Sequence, residues 1–384
     1  MRPSFPDRDS LSVASQQALK KSIRAITAML AAAATSAFAQ VPASYPASYG
    51  QVVDAARQEG KLVVYSVLSN KAAAPLVAGF KVLYPGIEVE YDGEGGSNEV
   101  TDRFLTEVRD GKQSADVLWS SAMDLQMMLV QNGHASPYES PEASHLPAWA
   151  KWRDLAWGTT FEPVVFVYNK KLVSEEEVPR DRAEFAKLLA ERGDKFNGRV
   201  TMFDIAKSGV GYMFAVHDAA NGDAVTKLLP GLGRAGVKES SGTGEMLTKV
   251  NAGEYLLGYN LMGAYALVRS KKDLPSLGVM LPRDYTLVLS RVMFISRHAK
   301  HPHAAKLWAD YVLSRRGQTI IGGALELFAV RDDVEAEYTA AKLRDRMGTA
   351  ARPIPIEPGI AAALEPVRQR AFIDDWKAKL QKAR

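Results

Sequence analysis

Residues 61–97 read KLVVYSVLSNKAAAPLVAGFKVLYPGIEVEYDGEGGS, and this stretch decides the fold. Lys61 to Tyr65 is a short β-branched run that reads as a strand, and Asn70 to Tyr84 carries apolar residues at helical spacing. Pro85-Gly86 ends that helix. Ile87 to Tyr91 alternates apolar and acidic residues as a strand does. Gly93-Glu-Gly-Gly96 then turns into a helix capped by Ser97 or Asn98, with Glu99 and Asp102 placed to favour its positive end. Ala115-Asp-Val-Leu-Trp119 supplies a third strand, and Met123 to Gln131 the helix after it, stopped by Gly133. Three βα units in succession predict a parallel sheet covered by helices.

A second α/β half follows. Val164 to Tyr168 reads as a buried strand, Glu175-Glu-Glu177 as a solvated helix start, and Arg182 to Arg192 as a helix. Gly198 to Phe203 is a strand leading through Ser208-Gly209 into a helix from Tyr212 to Ala220. Tyr285 to Ser296 reads as one long strand, and His301-Pro-His303 opens an apolar-faced helix to Leu313. Two α/β lobes with a cleft between them are expected, the strands near Val164 and Leu287 serving as crossovers.

At the amino end, Lys20, Lys21 and Arg24 precede an uncharged run from Ala25 that closes on Ala37-Phe38-Ala39. A basic flank, a short apolar segment and small residues two apart predict a secretory signal cleaved after Ala39. The run is shorter than the roughly 20 residues that span a bilayer. Removing residues 1–39 takes away five of the 48 basic and two of the 44 acidic side chains, so the remainder is nearly neutral. No basic excess argues for nucleic acid or an anionic membrane surface. Cysteine is absent, which excludes disulfides, thiolate metal sites and thiol nucleophiles.

Motifs for chemistry are mostly missing. There is no Gly-x-Ser-x-Gly, His-Glu-x-x-His or Walker loop. Gly231-Leu-Gly-Arg-Ala-Gly236 matches the dinucleotide fingerprint but follows an apparent helix, Asp223 to Leu229, and reads as a loop. His301 and His303 read as capping residues rather than metal ligands, and Trp149, Trp152 and Trp157 as hinge packing or cleft lining. What recurs is a small polar residue between a strand end and a helix: Ser66, Ser69 and Asn70; Gly95, Gly96 and Ser97; Ser120 and Ser121; Ser208 and Gly209. Ligands of open α/β sheets sit outside the carboxyl ends of strands, where helix N-termini favour anions.

The markers Glu59-Gly-Lys-Leu-Val-Val-Tyr-Ser66, Ala115–Trp119, Pro163-Val-Val-Phe-Val-Tyr-Asn169, Gly253-Glu254 and His301-Pro-His-Ala-Ala-Lys306 through Leu313-Ser-Arg-Arg-Gly-Gln318 stand in a specific order. In these the chain resembles the periplasmic substrate-binding proteins of ABC importers, in the group of ferric-ion, phosphonate and phosphate-ester binders. The resemblance implies a two-lobed α/β fold of type II with a hinge of crossover strands, a monomer docking on an inner-membrane permease, and no catalysis or cofactor. Lobe limits are set at 40–165 plus 286–335 and at 166–285 plus 336–384. The histidine, glutamate and tyrosine pair that hold iron in ferric relatives fall here on Ser69, Ser121 and Gly263-Ala264, with a lone Tyr265 beside them. Hydroxyls and glycine cannot replace hard anionic oxygens, so no metal site is expected.

The ligand expected is instead an organic anion: a phosphate ester, a phosphonate or a carboxylate. Its anionic end is assigned to Ser208 and Gly209 with Ser97. Its polar body is assigned to Ser66, Ser69, Ser121, Thr160, Tyr259 and Asn260, with Tyr212 or a tryptophan on an apolar face. Arg291 stands equally for a fixed charge in the site or a structural ion pair. The alternatives are a ferric-ion carrier, a sensory module, or an exported hydrolase or transferase using Asp116, Glu162, Asp204 or His217.

Overall fold

The computed structural model describes residues 45–381. The expected leader and its cleavage point after Ala39 lie outside them. The first half alternates as the sequence implies: α1 (Tyr49–Glu59), β1 (Lys61–Ser66), α2 (Asn70–Leu83), β2 (Glu88–Asp92), α3 (Ser97–Arg109), β3 (Val117–Ser120) and α4 (Met123–Gln131). β1 pairs in parallel with β2 and with β3. Short strands β4 (Lys151–Trp152) and β5 (Ala156–Gly158) extend this sheet, and β12 (Val292–Ile295) inserts antiparallel between β3 and β5.

The second lobe begins at β6 (Glu162–Asn169) and continues through α5 (Arg182–Glu191), α6 (Gly193–Phe196), β7 (Val200–Phe203), α7 (Gly209–Ala220), α8 (Ala224–Arg234) and β8 (Lys238–Ser240). Next come α9 (Thr243–Ala252), β9 (Leu257–Met262), α10 (Gly263–Lys272), β10 (Leu277–Met280) and β11 (Thr286–Leu289). The order in the second sheet is β13-β11-β6-β9-β7-β8, with β10 also on β6; β13 is Ala351–Pro353. After β12, α11 (Pro302–Leu313) and α12 (Arg315–Gly322) pack on the first lobe, α13 (Ala340–Met347) precedes β13, and α14 (Pro366–Gln381) packs against α8.

The long strand expected from Tyr285 to Ser296 is two strands in different sheets, split at Ser290-Arg291. Both strands are buried at every position, and Ser290 and Arg291 between them are buried too, so one continuous buried run conceals the break. The chain therefore crosses between sheets at 159–161 and returns at 290–291.

At the crossing the two segments bond through side chains. Thr160 N donates to Ser290 Oγ at 3.1 Å, Arg291 N donates to Thr160 Oγ1 at 2.9 Å, and Thr159 Oγ1 donates to the Arg291 carbonyl at 2.9 Å. Trp119 Nε1 donates to Thr159 Oγ1 at 2.8 Å, so that buried tryptophan ties the crossing to the first sheet. Trp157 is likewise core, not cleft.

Gly231 and Gly233 lie inside α8 rather than in the expected loop. A side chain at Gly233 would collide with the Leu380 carbonyl of α14, so that glycine serves helix packing. The histidines at the start of α11 bind separate carboxylates. His301 Nδ1 lies 2.9 Å from Asp116 Oδ2, and His303 Nδ1 lies 2.7 Å from Glu59 Oε1. Glu59 also accepts from the amides of His303 and Ala304, capping α11 from α1.

On α11, buried Asp310 accepts hydroxyl bonds from Tyr49, Tyr138 and Ser140 at 2.7, 2.6 and 2.5 Å. Burial pushes its pKa up to about 6 against the lowering effect of those hydroxyls. A carboxyl whose folded pKa is raised favours folding most below its unfolded value, and this advantage is lost as pH rises through the folded one.

Two outcomes follow for the folded state. Gly233→Ala should destabilise by roughly 1–3 kcal/mol as α14 is pushed off α8, read as a lower melting temperature. The melting temperature of wild type relative to Asp310→Asn should fall between about pH 4 and pH 7; a constant difference would show that Asp310 does not titrate there.

Candidate ligand-binding cleft

A cavity of about 490 Å³ opens where helices from both lobes point their N-termini at one another. Gly95, Gly96, Ser97, Asn98 and Glu99 line it from the start of α3, and Ser121 from the turn before α4. Lys207, Ser208, Gly209 and Val210 line it from the start of α7, and Ser241, Thr243 and Gly244 from the start of α9. Met262, Tyr265 and Arg291 close the hinge side, with Val67 and Phe203 as further apolar wall.

Local sequence explains each turn. Gly93 passes so close to the Leu68 carbonyl that a side chain there would collide, and Gly95 has φ of +98°, the left-handed region that favours glycine. Gly96 has no side chain to cap α3, so Glu99 reaches back to its amide at 3.4 Å. Ser208 caps α7 by accepting from Gly211 N at 3.2 Å. A Cβ at Gly209 would stand 3.1 Å from Asn98 Oδ1, so glycine lets the lobes meet there.

Among the described residues, the backbone N–H groups of Ser97, Asn98, Gly209, Val210, Thr243 and Gly244 have no protein acceptor. They are the donors that every helix leaves unpaired in its first turn. Three such turns on one cavity give it a positive lining made of amides.

Arg291 adds a fixed charge and also forms the structural pair. Its Nε donates to Glu162 Oε1 at 2.9 Å, and its Nη2 to the Tyr265 hydroxyl at 2.9 Å, with both Arg291 and Glu162 buried. Burial by itself would lower the Arg291 pKa, but Glu162 and Tyr265 outweigh it and raise it, so the guanidinium stays charged. Lys207 is neutralised by Asp204 at 3.1 Å.

Of the ten predicted ligand residues, Ser97, Ser121, Ser208 and Gly209 line this cavity. The other six do not. Ser66 turns inward and accepts from Leu68 N at 3.1 Å. Ser69 caps α2 through Ala72 N at 3.4 Å. Thr160 is spent on the crossing, donating to Glu162 at 2.8 Å. Tyr259 and Asn260 both bind Asp218 inside the second lobe, beside Arg182. Tyr212 lies on the far side of α7, donating to the Ala363 carbonyl at 2.6 Å.

Sequence reasoning missed Asn98, Lys207, Val210, Thr243 and Gly244 in the lining, and named Tyr265 only as the neighbour of a lost metal pair. The signal for α9 was present as Ser240-Ser-Gly-Thr243, another small-polar turn after a strand. The four candidate acid–base groups stand outside the lining. Asp116 is bound by Val63 N and His301, Glu162 by Arg291, and Asp204 by its own turn. Burial lowers the His217 pKa to about 4.

Two α/β lobes, two crossovers and a polar cavity between them define a hinged clamp for a small solute. The chain belongs to the bacterial extracellular solute-binding protein family, whose model matches residues 66–319. These are the proteins that deliver small molecules to the permeases of ABC transporters, and its lobes are those of the type II fold. The substrate-binding protein of an ABC transporter from Agrobacterium tumefaciens is 36% identical, with a TM-score of 0.77 over 83% of this chain and 94% of that one. The ferric binding protein from Campylobacter jejuni is 20% identical, with a TM-score of 0.65 over 84% and 99% of the two chains. AfuA from Actinobacillus pleuropneumoniae, with fructose-6-phosphate bound, is 18% identical, with a TM-score of 0.65 over 84% and 99%. No curated protein matches the chain in sequence.

Glu162→Gln would leave the Arg291 charge buried and uncompensated. It should lower stability by roughly 3–5 kcal/mol, measured by denaturant unfolding. A change below about 1 kcal/mol would show the pair to be dispensable.

Proposed function

We propose that this protein captures a small organic anion, namely a phosphate ester, phosphonate or carboxylate, between its lobes and hands it to the membrane permease. The observation that carries this reading is the convergence of six unpaired amides, from α3, α7 and α9, on one cavity beside a charged arginine. Each helix N-terminus contributes about 0.3–1 kcal/mol to holding an anion, and more when water is partly excluded. The cavity is larger than an inorganic oxyanion needs, and Val67, Val210, Phe203 and Met262 offer apolar wall to an organic body. The proposed contacts are Ser97, Ser121, Ser208 and Gly209 from the sequence, joined by Asn98, Thr243, Gly244, Tyr265 and Arg291.

Two further points belong to the same reading. The protein is exported by a leader cleaved after Ala39 and works as a monomer in the periplasm. The lobe limits move to the crossings at 159–161 and 290–291, where strand pairing changes sheet. Hard anionic oxygens in the lining are limited to Glu99 and the Tyr265 phenol, a poor set for ferric ion. Gly263, where one tyrosine of a ferric pair would fall, is packed against the Pro163 carbonyl, 2.5 Å from where a Cβ would stand.

A thermal-shift screen of the protein lacking residues 1–39 tests the ligand class. A phosphorylated, phosphonate or carboxylated compound should raise the melting temperature as RT ln(1 + [L]/Kd) requires. A shift with ferric ion alone would overturn the anion reading. Ser208→Asp keeps an N-cap residue and so keeps the fold, but sets a carboxylate at the anion end. It should abolish the shift given by the best compound, and an unchanged shift would remove the α7 turn from the site.

A further inference from the structure

The carboxyl-terminal segment leaves the second lobe, grips the first, and returns. At its start Ile354 N donates to the Val288 carbonyl at 2.9 Å, continuing the pairing of β13 with β11. Ile356 N then donates to the Trp149 carbonyl at 2.9 Å, which belongs to the first lobe. Gln131 at the end of α4 donates through Nε2 to the Pro358 carbonyl at 2.5 Å. The 3-10 turn Pro358–Leu364 packs along α4, and buried Ile360 and Ala361 share an apolar cluster with Met123, Met127 and Val130. Two residues beyond Ala361, Ala363 accepts the Tyr212 hydroxyl at 2.6 Å, and α14 lies on α8 of the second lobe.

We infer that residues 356–361 form a clasp that holds α4 against the second lobe, and that Gln131 and Ile360 are positioning residues for ligand capture although neither lines the cavity. Both ends of the clasp are fixed in the second lobe, by the second sheet and by α14. A hinge motion that swings the first lobe away must therefore strip α4 from the clasp. Ser121, in the turn before α4, borders the cavity, and α4 itself meets α7, with Leu125 beside Gly209. Loosening the clasp shifts the lobe equilibrium toward the open form. A ligand that binds only the closed form then binds more weakly by the same factor.

Burial of an isoleucine side chain is large enough that its truncation should shift the open-to-closed ratio about tenfold. The inference concerns lobe opening and needs no ligand, so its failure would leave the anion reading untouched. The experiment compares two ligand-free proteins by small-angle X-ray scattering. One carries Gln131→Ala with Ile360→Ala. The other carries Gln131→Cys with Pro358→Cys joined by a short bis-maleimide, which is selective because the native chain has no cysteine. The tethered protein should have the smaller radius of gyration, and the loosened one the larger. Superimposable scattering curves would overturn the clasp, since a merely structural contact lowers the melting temperature without changing lobe separation. If the double variant does not fold, Gln131→Ala alone takes its place against the tethered protein.

Discussion

The pairing of Arg291 with Glu162 is the constraint on which the rest depends. Each residue stands on or next to a different crossing between the lobes, both are buried, and the bond between them fixes how the two crossings face one another. A buried pair of this kind adds little net stability against an apolar substitute, because both charges lose their hydration. Its contribution is register. Thr160 and Ser290 fill the remaining bonds of the crossing, so neither segment can slide without leaving a polar group unpaired. The same guanidinium borders the cavity and holds the Tyr265 hydroxyl, so the hinge and the solute space share one residue.

Much of this architecture was legible because strand and helix periods are written plainly. The parallel arrangement of β1, β2 and β3 follows from three βα units, and the paired α/β lobes from their repetition. The break at Ser290-Arg291 was hidden, since the apolar residues run on at both sides of it and every position from Tyr285 to Ser296 is buried. The candidate site was legible at the level of turns and not of side chains. Ser97, Ser121, Ser208 and Gly209 were found because a strand end followed by a helix start is a local feature. Tyr259 and Asn260 were misplaced because their chemistry suits a ligand while their strand is buried on both faces. Only the presence of Asp218 and Arg182 across the lobe decides where their polar groups go. Thr160 fails for a related reason: its partner, Glu162, is two residues away, but Arg291, which completes the set, is far along the chain.

If the solute is an anion as proposed, the amides of the lining rather than its side chains would hold it. Arg291 is balanced by Glu162, Lys207 by Asp204, and Glu99 stands at the mouth of α3 with its carboxylate turned to the Gly96 amide. The side-chain charge left over is the single carboxylate of Glu99, which no basic side chain pairs among the described residues. Also uncompensated are the first-turn N–H groups of three helices, whose dipoles are fixed by the fold. Such donors need no rearrangement when an anion arrives, and a partly dry cavity strengthens them.

Placement of these donors on both lobes turns recognition into motion. α3 belongs to the first lobe, and α7 and α9 to the second, so an anion held by all three is bound only when the lobes are close. An anion touching α3 alone would gain a third of those contacts and would leave the equilibrium between open and closed forms almost unmoved. Differential contact of this kind is what a solute must supply to close a hinge. Gly209 eases the close approach, since a Cβ there would stand 3.1 Å from Asn98 Oδ1 and 3.5 Å from Leu125 of the opposite lobe, crowding the Asn98 amide. The glycine at the tip of α7 thus matters for what it leaves out, and the turn proposed to hold the anion and the meeting point of the lobes are one feature.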